Sequence, residues 1–149
     1  MTSVAGEAQE VVLAEAQAVH ALAVDPALRD RFAELVADAG EGELDETTAA
    51  LAESLLELGL QSGRIRALYG PGGEQAALRT LRKLPRGLDR DRSATEVSAA
   101  LTALAGRTLD AVSLAAVAPG AFALTLEADG VSLSVRLDAG GARLQSVAT

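Results

Sequence analysis

The chain has no cysteine, one histidine and three aromatic residues, Phe32, Tyr69 and Phe122. Without cysteine there are no disulfides and no thiolate metal sites, and nothing points to an oxidising compartment. Few aromatics means few anchors of the kind that dominate strong interfaces. It also means no stacking platform for bases, and in an acidic chain this argues against nucleic acid as a partner. No apolar run approaches the roughly 20 residues of a membrane span. The segment Met1–Glu7 has neither the basic start nor the apolar stretch of a secretion signal. The expected setting is the cytoplasm. Twelve arginines against the single Lys83, with abundant alanine and glycine, point to a GC-rich bacterial genome.

The missing chemistry is as informative. His20 is the only imidazole, and its helical neighbours Ala16, Gln17 and Val24 include no acid to orient it as a base. There is no Gly-x-Ser-x-Gly and no Glu-x-x-His. The pairs Glu53/Glu57 and Glu34/Asp38 have helical spacing, but without histidines to complete a metal site they read as a solvated acidic face. Nothing calls for a cofactor, and the balance is against an enzyme.

What is present is an apolar content of 49%, enough for a real core in 149 residues. The charge is unevenly distributed. The chain carries −8 overall. Residues 1–63 hold thirteen acids against two arginines. Residues 64–92 hold eight basic residues against three acids. Residues 93–149 are nearly balanced, with five acids and three arginines. The basic stretch faces either the chain's own acidic half or an external anion.

Periodicity predicts helices over about Val4–Val24, then from the Asp25-Pro26 start to Gly40, and over Asp45–Leu58. Gly59 and Leu60 read as a glycine-type end of the third. A short helix over Arg64–Tyr69, a break at Gly70–Gly73 and a helix over Glu74–Leu84 follow. Pro85–Arg92 reads as a linker, and Ser93-Ala94-Thr95-Glu96 as a capping box opening a last helix that stops at Gly106. The period then changes from 3.6 to 2. Asp129-Gly130 joins two alternating runs, so a two-residue turn would pair Phe122 with Leu137, Leu124 with Val135, Leu126 with Leu133 and Ala128 with Val131. Strands over Leu109–Ala118 and Ala142–Ala148 flank this hairpin. The expected fold is α+β: an N-terminal layer of five or six helices packed on a C-terminal four-stranded antiparallel β-meander. It divides into a helical region 1–92 and a helix-plus-meander region 93–149, or forms one continuous domain. The meander's apolar face is either a filled core or a cavity lined by Phe122, Leu124, Leu133 and Val135.

The site candidates come from the basic stretch: Arg64, Arg66, Gly72, Gly73, Arg79, Arg82, Lys83 and Arg86. Arg79, Arg82, Lys83 and Arg86 share one face if the helix persists to Pro85. Gly72 and Gly73 open that helix, where free N–H groups suit an anion, although the Gly-Lys-Ser/Thr of a phosphate loop is missing. The functional expectation is a non-catalytic protein–protein interaction or assembly protein, including a homodimer. The alternative is a module binding a small phosphate or carboxylate anion.

Overall fold

The computed structural model describes residues 1–149. Five helices precede a four-stranded antiparallel sheet, so the fold is α+β. The chain divides into two compact units, Met1–Leu88 and Asp89–Thr149. No helix is long and apolar enough to cross a membrane.

In the first unit, α1 (Glu7–Leu22) and α2 (Pro26–Glu41) are joined by Asp25, whose carboxylate accepts from the Ala27 N–H. Pro26 follows at the first helical position, as the Asp-Pro pair predicts. The stop of α2 is Gly42 with φ 81°, two residues beyond the expected Gly40. There the two-residue strands β1 (Thr2–Ser3) and β2 (Glu43–Leu44) pair, with Thr2 opposite Leu44. Helix α3 (Glu46–Gln61) opens with a capping box: Asp45 accepts from the Thr48 N–H, and Thr48 Oγ1 accepts from the Asp45 N–H. The Asp45 carboxyl is held below its ordinary value, chiefly by that backbone donor. The expected end at Gly59 is wrong. Gly59 is an interior helical residue whose missing side chain leaves room for Ile65. The core of this unit gathers Leu35, Leu44, Leu56, Ile65 and Leu84, none of them exposed.

Helix α4 (Arg64–Lys83) is two helical segments meeting at Gly70, whose φ of 69° and ψ of −173° suit glycine. The break is one residue long, because Pro71 at once restarts the helix from its fixed φ. After α4, Leu84 is extended (φ −81°, ψ 161°), as a residue before proline prefers. Pro85 then begins α5 (Pro85–Thr102). The expected linker over 85–92 is therefore helical, and Ser93–Glu96 lies inside α5 rather than capping it. Pro85 is a helix start, and one of the orphan N–H groups behind it, that of Gly87, is met by a side chain from far along the chain.

In the second unit, β3 (Ala111–Ala118), β4 (Ala121–Ala128), β5 (Val131–Asp138) and β6 (Gly141–Ala148) pair in the order β3-β4-β5-β6. The β4–β5 register is the one the alternation requires, Phe122 with Leu137 through to Ala128 with Val131. Asp129 and Gly130 have φ of 50° and 77°, the doubly positive pair of a type I′ hairpin turn. Asp110 accepts from the Asp129 N–H and clamps that turn. Val97 and Leu104 pack on Leu133, Val135 and Ala128, with Leu124, Leu126 and Leu137 around them. The centre of the apolar face is thus a filled core, with Leu133 and Val135 at 1% and 2% exposure.

The α4–α5 junction is tight. A Cβ on Gly87 would overlap the Leu81 carbonyl oxygen. Gly87→Ala should cost about 1–3 kcal/mol, the range for forcing extra volume into a packed site. Gly40→Ala, inside α2 with open space around it, should be neutral or stabilising by about 0.5–1 kcal/mol. Urea unfolding of the two variants checks the contrast.

Candidate functional site

The basic stretch does not form one surface. Three of its arginines are ion-paired within the first unit. Arg64, just after the α3–α4 turn, donates through Nε to Glu15 Oε2 at 2.9 Å. Tyr69 Oη donates to the other oxygen of the same carboxylate at 2.7 Å. Glu15 is 3% exposed, so these two donors replace the water it has lost. The bound carboxylate raises the Arg64 guanidinium further above its ordinary value. Burial, then the bond to Glu15, pushes the Tyr69 phenol up to about 12. Arg66 reaches Glu74 at 3.3 Å in a largely exposed pair, which contributes little stability.

Arg86 is the most heavily used. Its Nε donates to Glu53 at 3.1 Å, its Nη1 to Glu57 at 3.0 Å and its Nη2 to Ser54 Oγ at 2.6 Å. The second Glu53 oxygen accepts the Gly87 N–H at 3.0 Å. Glu53 is 1% exposed. The expected solvated face over Glu53 and Glu57 is therefore an arginine clamp. It also separates Arg86 from Arg79, Arg82 and Lys83: α4 stops at Lys83, and Arg86 belongs to the first turn of α5.

The two glycines sit close to other side chains. Gly73 is buried against Tyr69 and Val11, and the Glu7 carboxylate lies where a side chain at Gly72 would start, bringing negative charge next to the loop.

Arg79, Arg82 and Lys83 remain. All three are exposed and none is ion-paired. With Thr80 and Ala76 they form one wall of a cleft of about 600 Å3, whose other wall is the Ser3–Ala8 segment, including Glu7. Helical spacing puts these three on a common face; that the face is open to solvent is a finding of the tertiary structure. Sequence reasoning missed Glu15, Glu53 and Tyr69, because nothing local distinguishes a buried glutamate from its exposed neighbours.

No family model matches the chain, and neither a curated protein nor a solved structure is significantly similar to it.

Tyr69 is the only tyrosine and there is no tryptophan, so its phenolate absorbance can be followed alone. The unfolded phenol ionises near its ordinary value of 10, and the folded one near 12. The contribution of Tyr69 to stability is thus intact below pH 10 and lost between pH 10 and 12. Tyr69→Phe should flatten stability over that window. At neutral pH it should cost about 1–2 kcal/mol for the lost bond to a buried carboxylate. Spectrophotometric titration with urea unfolding at several pH values measures both.

Proposed function

We propose that the chain is a non-catalytic assembly protein whose partner is a second copy of itself. The observation that carries this reading is β3. It is an edge strand of eight residues, all exposed, with Val112 and Leu114 at 57% and 62%. Natural sheets blunt such edges with charge, proline or a bulge. The opposite edge, β6, has Arg143 and an extra residue, Gln145, in its register. On β3 no residue is charged, and the only irregularity lies at its end, between Ala116 and Ala118. From Ala111 to Leu126 sixteen residues pass without a charge.

Charge makes a second copy a suitable occupant. Two chains of −8 repel, and an uncharged edge lets them meet without opposing carboxylates. The strand is also self-complementary. A two-fold axis normal to the sheet sets β3 antiparallel to its copy. With Leu114 opposite Leu114 of the second copy, Val112 falls opposite Ala116, and the apolar residues of both copies stay on the same face. Four strands become eight, and the free edge is gone.

A second reading, anion binding, is favoured by the unpaired Arg79, Arg82 and Lys83 around their cleft. Glu7 in the opposite wall weighs against it. Stabilisation by millimolar phosphate or citrate, lost in Arg79→Ala with Arg82→Ala, would support it.

Light scattering over a dilution series tests assembly. Mass should approach twice 15.1 kDa at high concentration. Leu114→Lys, on an already exposed position, should leave secondary structure unchanged and weaken the dimer at least tenfold. A chain that stays monomeric into the millimolar range overturns the reading.

A further inference from the structure

A second cleft, of about 390 Å3, lies between α1 and α3 and shares no lining residue with the basic cleft. Ala18, Val19 and Leu22 from α1 face Leu55 and Leu58 from α3. Leu22 and Leu58 are 81% and 67% exposed, so the apolar walls stand open. One end differs. There the lining is Glu15, Ser62 and Arg64, with Gly59 beside them. The space equals roughly thirteen groups of about 30 Å3, a water's share of liquid volume, which suits a chain of about ten carbons with its head, and it is within the range of small-molecule sites.

The polar end decides the sign of the ligand. Both Glu15 oxygens already accept, from Arg64 and Tyr69, and the group is 3% exposed. It has no free oxygen to offer a cation. Arg64 is the reverse. Only its Nε is engaged; its side chain is 51% exposed and both Nη groups lack a partner. A guanidinium presents paired donors to a carboxylate. The Glu15 partnership fixes one edge and turns the rest of the fork outward. Glu15, Arg64 and Tyr69 are the titratable groups at this end, and with the phenol neutral the Glu15–Arg64 pair carries no net charge.

The geometry points to a binding site for a single-chain amphiphile with a carboxylate head, its head on the Nη edge of Arg64 and its tail of about ten carbons between α1 and α3. This is independent of the assembly reading. Affinity rises with each methylene buried, roughly three- to fourfold per step until the slot is full.

The test is calorimetric titration of the full chain with decanoate, decanol and butyrate. Decanoate should bind at least tenfold more tightly than decanol and at least a hundredfold more tightly than butyrate. Arg64→Gln should lower decanoate affinity to that of decanol while leaving decanol binding unchanged, which also shows that the slot is still formed. Ala18→Phe fills the slot while leaving Arg64 and Glu15 unsubstituted, and should abolish binding of both ten-carbon ligands. It carries the test alone should Arg64→Gln fail to fold. Equal affinity for decanoate and decanol, or undiminished binding to Ala18→Phe, overturns the proposal.

Discussion

The carboxylate of Glu53 is the constraint on which the first unit turns. It is buried in the middle of α3, and there a charge is tolerable only if every lone pair it has lost to water is replaced. The replacement comes from residues 33 and 34 positions away, Arg86 and the Gly87 N–H. The same contact solves a second problem. A helix opening on proline still exposes backbone donors in its first turn, and Glu53 takes one of them while placing negative charge at the positive end of the α5 dipole. Leu84, fully buried beside the junction, seals it. Each part depends on the others: without the carboxylate the turn lacks an acceptor, and without Arg86 the carboxylate is stranded.

Glu15 repeats the arrangement with Arg64 and Tyr69. Together the two sites explain how an acidic chain carries a dense run of arginines. The run is the cation supply for carboxylates that helices α1 and α3 bury. What the first unit leaves unpaired, Arg79, Arg82 and Lys83, is a smaller and more open set than the run in the sequence, and it lies on about one helical turn. Arg64 serves both purposes, because a guanidinium held by one edge still presents the other.

The meander was almost wholly legible in advance. Asp129-Gly130 between two alternating runs leaves one register in which all apolar residues share a face, and that is the register observed from Phe122–Leu137 to Ala128–Val131. Both signals act over a few residues, so no knowledge of distant chain was needed. The helix starts at Pro26 and Asp45 were readable for the same reason. The α4–α5 junction was misread because Pro85 and Gly87 carry local signals for a break. They are in fact a helix start and a close approach to the Leu81 backbone. Gly59 misled in the same way: its lack of a side chain serves Ile65, which is remote in the helix.

The sequence by itself determined the α+β order, the meander register, the helix starts made by Asp-Pro and Asp-x-x-Thr, and the segregation of charge. These rest on backbone sterics, turn chemistry and periodicity, which act between near neighbours. Only the tertiary structure decided which glutamates are buried, which arginines answer them and which stay free. A buried carboxylate and a solvated one have the same neighbours in sequence and differ only in what the fold brings to their oxygens. For Glu15 and Glu53 those groups lie more than thirty residues away.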